Sequence, residues 1–346
     1  MTSGIVAILA RVRDRLVAVA CLLVVSWVAP TRGAEVGVIK GAGATFPAPV
    51  YQAWAAAYRQ TGGVRVSYEP VGSGEGLRQI RARQVDFGGS DAPLTPEELD
   101  ASGLMQFPVV IGGVVPVINH MMGIKPGQLK LSGAVLADIY LGKIRKWNDD
   151  AIEALNPGLA LPNTNITVVH RSDASGSTLL WTDFLSRSSP EWRASVGAAL
   201  EPRWPTGTGG VGNEGVAAYV QRTRFALGYV EYVFARQHHL SDVALRNHDG
   251  RFVQAGLEAF KAAAAAAGEW NSAATYQQLA TDQPGSASWP VTGASFILVP
   301  KAPGSASTTS TVLRFFDWAL HHGESQARSL DYALVPPTVV DHLMPH

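Results

Sequence analysis

Apolar positions follow two rhythms along this chain. Short runs with period two, or with unbroken β-branched character, alternate with stretches whose apolar residues recur near every 3.6 positions. Residues 36–40 predict a strand. After Gly41-Ala42-Gly43-Ala44-Thr45-Phe46, Val50, Trp54 and Tyr58 recur at helical spacing as far as Gly62-Gly63. Pro47 and Pro49 straddle that helix start, where a missing N–H costs little. Val64, Val66 and Tyr68 alternate as a strand, and a helix with Leu77 and Ile80 on one face follows Gly72-Ser73-Gly74-Glu75-Gly76. Residues 85–87 predict a short buried strand, and Thr95-Pro96-Glu97-Glu98 is a capping box. The runs 107–111 and 114–119, split by Gly112-Gly113, predict a crossing between domains; 292–299 predicts a second. Helices are expected over 131–141, 151–155, 179–185, 216–223, 261–268 and 312–321, and strands over 166–169 and 227–230. Residues 206–215 form a further Gly-rich loop, and 339–343 closes the chain. This alternation predicts an α/β protein with mainly parallel sheets and helices on their faces. In such folds ligands collect at the carboxyl ends of strands.

Length sharpens the picture: 346 residues exceed one comfortable core, so two domains are expected. The formal net charge of +0 argues against a nucleic-acid partner, and any affinity for anions must then come from local donors. Arg11, Arg13 and Arg15 precede an apolar run over 16–28 and the small-residue exit Ala29-Pro30-Thr31-Arg32-Gly33. That is the layout of a secretory signal over residues 1–33, cleaved after Gly33 or Ala34, with an uncleaved anchor as the alternative. Cys21, the single cysteine, falls inside the apolar run, so the mature chain would hold neither a disulfide nor a thiolate metal site.

Three turns carry the candidate chemistry. Gly41 to Phe46, Gly72 to Gly76, and Arg171-Ser172-Asp173-Ala174-Ser175-Gly176-Ser177-Thr178 each lead from a strand-like run into a helix and are rich in glycine and hydroxyl residues. A helix N-terminus offers free N–H groups and the positive end of a dipole, and glycine lets an anion reach the backbone. Arg171 matches a tetrahedral oxyanion with two parallel hydrogen bonds, and Asp173 is placed to hold its fork. Alone, that pair also reads as a surface ion pair. Asp91 ends a strand in Gly88-Gly89-Ser90-Asp91-Ala92-Pro93. A carboxylate beside an anion site makes sense when the ligand carries a proton, as phosphate does near neutral pH and sulfate does not. Alone, Asp91 reads equally as a loop cap, and Thr45 and Ser73 as helix caps.

The segments 41–49, 85–93, 107–115, 138–144 and 228–232 resemble phosphate-binding proteins of the phosphate-specific ABC transporter, as do Trp289-Pro290, 296–298 and 315–319. The resemblance implies a two-lobed periplasmic binding protein fold of type II, hinged, with mixed or mostly parallel sheets flanked by helices. It implies lobe 1 over 34–113 and 290–346, lobe 2 over 114–289, and a phosphate held between them by Thr45, Phe46, Ser73, Asp91, Arg171, Ser175, Gly176 and Ser177. Asp173 would support Arg171. The implied protein is a periplasmic monomer that needs no cofactor or metal, catalyses no reaction, and hands inorganic phosphate to permease subunits in the inner membrane. Three positions depart from the pattern. Ser177 stands for a common threonine, Glu75 for a small residue and is expected to face solvent, and His170 for a basic residue, where it tunes the site or only packs. Alternatives are an exported serine hydrolase or phosphatase using Ser175 with His170 or Asp91, a receptor for molybdate, sulfate or a phosphonate, and a phosphate-binding signalling protein. The pairs His238-His239 and His321-His322 lack acidic partners at metal spacing and are expected at the surface.

Overall fold

The computed structural model describes residues 37–268, 279–301 and 306–335. The expected leader, Cys21 and the closing element at 339–343 lie outside them. Thirteen strands are formed among the described residues: β1 Val38–Gly43, β2 Arg65–Glu69, β3 Phe87–Ser90, β4 Leu104–Ile118, β5 Lys130–Leu131, β6 Thr167–Arg171, β7 Thr208–Gly210, β8 Ala226–Glu231, β9 Ser241–Asp242, β10 Ala244–Arg246, β11 Phe252–Val253, β12 Thr292–Pro300 and β13 Ala333–Leu334. Ten of them make one sheet in the order β2-β1-β3-β12-β4-β8-β6-β7, with β13 and β9 also on β4. β5, β10 and β11 form a separate small sheet.

The sheet is mixed. Pairs β1–β2, β1–β3, β6–β7 and β6–β8 are parallel, whereas β12 runs antiparallel to β3 and β4, and β4 antiparallel to β8. The expectation of mainly parallel sheets therefore holds on the flanks and fails in the middle, where the long strands β12 and β4 lie. The break expected at Gly112-Gly113 does not occur: β4 is one strand of fifteen residues. Its residues 104–113 pair with β12 and its residues 114–118 with β8. The two glycines admit aromatic rings. A Cβ on Gly112 would stand 2.9 Å from the Phe46 ring, and one on Gly113 would stand 2.1 Å from the Phe260 ring.

Several boundaries move. Gly41 to Gly43 belongs to β1 rather than to a turn, and the Phe87 ring of the neighbouring strand fills the space beside Gly41, where a Cβ would meet it at 2.1 Å. The strand expected at 85–87 is β3, starting at Phe87. Leu131 is in β5, and Ser132 caps the helix Gly133–Tyr140. The loop expected over 206–215 contains β7 and already the start of the helix Gly212–Arg222. The remaining predicted helices appear as Ala48–Gln60, Ser73–Arg81, Pro96–Ser102, Asp150–Glu153, Gly176–Ser188, Leu257–Ala266 and Ala306–His322.

The first helix shows why the frame is firm. Ala48–Gln60 buries Val50, Tyr51 and Trp54; Tyr51 packs edge-on against Phe316, and the Trp54 indole N–H donates to Gly323 O at 2.9 Å. Each such side chain contributes about 1.5–3 kcal/mol by leaving water. That packing fixes the β1 turn from which the helix starts. Among the described residues no helix is long and apolar enough to cross a membrane.

Candidate functional site

Four helix N-termini meet at one place. They belong to Ala48–Gln60, Ser73–Arg81, Gly176–Ser188 and Gly212–Arg222, and each is delivered by a strand of the large sheet. The residues predicted from sequence lie at these junctions. Ser73 is 1% exposed, Asp91 2%, Arg171 3% and Ser175 1%. Side chains this polar stay buried only when something satisfies them.

Ser73 joins two of the junctions: its Oγ accepts the Asp91 N–H at 3.2 Å and the Gly176 N–H at 3.1 Å. Gly74 N–H donates to Ala174 O at 3.0 Å beside it. Gly176 has to be glycine for this approach, since a Cβ there would stand 2.5 Å from Asp91 Cβ. Ser73 is therefore not the helix cap of the alternative reading. Nor does Asp91 cap its own loop, because Ser90 Oγ does so, bonding Ala92 at both its N–H and its carbonyl.

Asp91 Oδ1 is buried and makes no hydrogen bond within the protein. Burial pushes the pKa of the carboxyl up to about 7, held back by the Ser295 hydroxyl and the Arg171 guanidinium nearby. Ser177 Oγ is likewise buried without a partner. Ser175 caps the helix Gly176–Ser188 by accepting the Thr178 N–H at 3.2 Å, so its own hydroxyl proton is still available to donate.

Arg171 ends β6 and pairs with Asp173 through two parallel contacts, Nε to Oδ1 at 2.7 Å and Nη2 to Oδ2. Burial acts to raise the Asp173 pKa, but the hydrogen bonds and charge of Arg171 and the Gly212 N–H at 2.9 Å hold it below the usual carboxylate range. Two of the five guanidinium N–H donors are used in this fork, which leaves its other edge for a second oxyanion. On the far side, Thr45 Oγ1 accepts from Asn213 Nδ2 at 2.9 Å and Asn213 N at 3.3 Å. Phe46 is fully buried, with its ring 6.0 Å from that of Tyr332.

The fold thus gathers Thr45, Ser73, Asp91, Arg171, Asp173 and Gly176 into one bonded network, with Ser175 and Ser177 on either side of Gly176. Sequence reasoning missed Asn213, Tyr229 and Ser295. Tyr229 Oη accepts the Arg171 backbone N–H at 3.2 Å and meets Thr178 Oγ1 at 2.6 Å, steadying the end of β6. Asn213 did carry a signal, an amide-bearing residue directly after a run of glycines at a helix start.

The departures resolve simply. Glu75 accepts from Arg78 and Gln79 on its own helix, and the Arg78 bond is the main cause that lowers its pKa to about 2. His170 packs: its ring stacks on Trp204 at 4.6 Å, and burial lowers its pKa. Its Nδ1 lies 2.9 Å from Arg171 O, so the Ser175–His170 pairing weighed for a hydrolase is not formed. Among the described residues no group of three or more His, Cys, Asp or Glu is arranged to hold a metal. His238 Nε2 lies 3.0 Å from Glu214 Oε2 and His321 Nδ1 3.2 Å from Asp317 Oδ1, single acidic contacts rather than metal-ligand groups.

Comparison with known proteins agrees with the fold. The model of the PBP superfamily domain matches residues 28–321. The phosphate-binding protein PstS of Haemophilus influenzae is 50% identical over 307 residues, 89% of this chain and 91% of that protein. PstS of Pasteurella multocida is 50% identical over 305 residues, 88% of each. A solved phosphate-binding protein from Stenotrophomonas maltophilia shares the fold with a TM-score of 0.66 at 20% identity, over 89% of this chain and 93% of that one. The architecture is that of a type II periplasmic binding protein, a two-lobed α/β receptor. Within that class the chain belongs to the PstS family of phosphate-binding proteins.

Proposed function

We propose that this chain binds inorganic phosphate with high affinity in the periplasm and delivers it to the permease subunits of an ABC importer. One observation carries the choice of ligand: the unpartnered Asp91 Oδ1, buried beside the N-termini of the helices Ser73–Arg81 and Gly176–Ser188. The N-termini and Arg171 favour an anion, and the bare carboxylate oxygen favours one that brings a proton. Phosphate meets both demands. Sulfate would set its lone pairs against those of Asp91, and a site built around such a polar complement rejects the wrong ligand by roughly 10⁴–10⁵.

In this reading lobe 1 is 34–113 with 290–346, and lobe 2 is 114–289. Thr45, the Phe46 N–H and Ser73 serve the anion from lobe 1, and Asp91 accepts its proton. Arg171, Ser175, Gly176 and Ser177 serve it from lobe 2, and Asp173 holds the guanidinium in plane. Closure replaces the hydration shell with fixed donors, and opening at the permease releases the ion. The signal-like segment 1–33 and the names of the relatives support export and a transporter partner. A role without turnover is supported by Ser175, whose oxygen caps its own helix and is not paired with His170.

Isothermal titration of the mature chain with phosphate, arsenate and sulfate tests this. Tight binding of the two protonated anions and weak binding of sulfate is expected. Equal affinity for phosphate and sulfate removes the role of Asp91, and an unchanged affinity in Arg171→Ala removes the clamp. Hydrolysis of a chromogenic phosphate ester would favour the enzyme instead.

A further inference from the structure

The proposed phosphate site leaves one buried acid without a role. Glu231 ends β8, is 0% exposed, and forms no salt bridge among the described residues. Its Oε2 caps the helix Tyr232–Gln237 by accepting the Val233 N–H at 3.0 Å, while Oε1 has no hydrogen-bond partner. Above it stands the Tyr332 hydroxyl, 2.8 Å from Glu231 Oε2 and 2.6 Å from the carbonyl oxygen of Phe46.

Three oxygens in a row need two protons, and a phenol supplies one. The Phe46 carbonyl can only accept. If Glu231 were ionised, one of these two short contacts would set bare lone pairs against each other. If it is protonated, Glu231 donates to Tyr332 and Tyr332 donates to Phe46, and both contacts are satisfied. Burial, first, and the nearby charge of Asp91 push the Glu231 pKa in the same direction, well above the usual carboxylate range. The titratable groups facing it are Tyr332, Asp91 and Tyr232; Arg236, farther along its own helix, is engaged by Asp331.

The backbone of the same residue reaches the other half of the turn. Glu231 N–H donates to Asn213 Oδ1 at 2.9 Å, and Asn213 Nδ2 donates to Thr45 Oγ1 at 2.9 Å. One residue thus grips Thr45 through its backbone and Phe46 through its side chain. We propose that Glu231 is a positioning residue that works as a neutral acid, latching the Thr45–Phe46 turn to the segment 114–289. The latch rests on the two-lobed phosphate reading, whereas the protonation state does not.

The test uses Glu231→Gln, Glu231→Ala and Tyr332→Phe in the full mature chain. In infrared difference spectra of wild type minus Glu231→Gln near neutral pH, the carbonyl stretch of a protonated carboxylic acid is expected; its absence overturns the proposal. The unfolded chain releases this proton above about pH 4.3 and the native one keeps it, so stability is lost as pH rises. The melting temperature of ligand-free Glu231→Gln should therefore gain on wild type between about pH 5 and 8. A pH-independent difference overturns the proposal. Phosphate titration should find Glu231→Gln within about threefold of wild type and the other two variants about tenfold or more weaker. Wild-type affinity in Glu231→Ala overturns the latch. Failure of the wild type itself to bind phosphate defeats the functional reading, while the spectra and melting curves still decide whether Glu231 is neutral.

Discussion

Gly176→Ala isolates the contact between the two sides of the site. The new Cβ would stand 2.5 Å from Asp91 Cβ and 2.8 Å from both Asp91 Oδ2 and Ser73 Oγ. Neither neighbour is a flexible surface side chain; both are buried. Carbon atoms pack at about 3.5 Å or more, so the two sides must withdraw by about 1 Å. A shift of that size breaks the Gly176–Ser73 and Gly74–Ala174 hydrogen bonds, now 3.1 and 3.0 Å. At about 1 kcal/mol each the loss is about 2 kcal/mol, or roughly thirtyfold in affinity. The helix itself gains, because alanine is favoured over glycine there by roughly 0.5–1 kcal/mol. The ligand-free melting temperature should accordingly hold while phosphate binding weakens. Titration calorimetry reads the affinity, and small-angle scattering with and without phosphate reads the closure. An affinity within threefold of wild type, with normal compaction, would refute the idea that Gly176 sets the distance across the cleft.

Further substitutions separate the roles of the other groups. Asp91→Asn should weaken phosphate by about 1.5–3 kcal/mol, the worth of a hydrogen bond to a charged group, and collapse the preference over sulfate measured in parallel titrations. Because the native Asp91 pKa of about 7 is raised, its contribution to ligand-free stability is complete below the unfolded value near 4 and is lost as pH rises toward 7. Thermal melts should show Asp91→Asn flattening that part of the wild-type profile. Arg171→Ala leaves the Asp173 carboxylate without its partner, costing roughly 3–5 kcal/mol in chemical denaturation, and adding Asp173→Ala should recover part of it. Asn213→Ala strips a partner from Thr45 Oγ1 and from the buried Glu231 N–H, and should cost about 1–3 kcal/mol in the same assay.

The site was legible in the sequence wherever its chemistry is local. Thr45, Ser73, Asp91, Arg171 and Gly176 sit in short runs of glycine and hydroxyl residues, a composition that needs a reason. Tyr229 and Ser295 were not legible, and Asn213 only as an amide beside glycines at a helix start, because their roles depend on segments distant in the chain that meet only in the fold. Tyr229 supports Arg171 across 58 positions, and Asn213 reaches Thr45 across 168. The strand and helix order followed from periodicity, but β4 was cut in two at Gly112-Gly113. Paired glycines usually punctuate, and here they make room for Phe46 and Phe260, which no local window contains. The short strands β5, β9, β10, β11 and β13 carry two or three residues each, too few for a period to register.

Charge accounting explains why such a site needs so little net charge. Arg171 is already neutralised by Asp173, and Glu231 is proposed to carry none. Asp91 adds up to one negative charge, so side chains alone do not attract an anion. The four helix N-termini each present about half a positive charge, falling off within a turn. Packed together they repel one another, and only groups with lone pairs can occupy the space where they meet. Asp173, bonded to Gly212 N–H, and Ser73 Oγ, bonded to two backbone N–H groups, are the protein's own answers to that field. A phosphate would be the third. Being held by backbone dipoles rather than by free cations, it would be bound with little dependence on ionic strength once buried, whereas an anion attracted mainly by exposed lysines or arginines would be released by salt. Titrations from about 0.05 to 0.5 M salt distinguish the two: near-constant affinity fits the dipole cage, and a steep fall would assign the binding to surface charge.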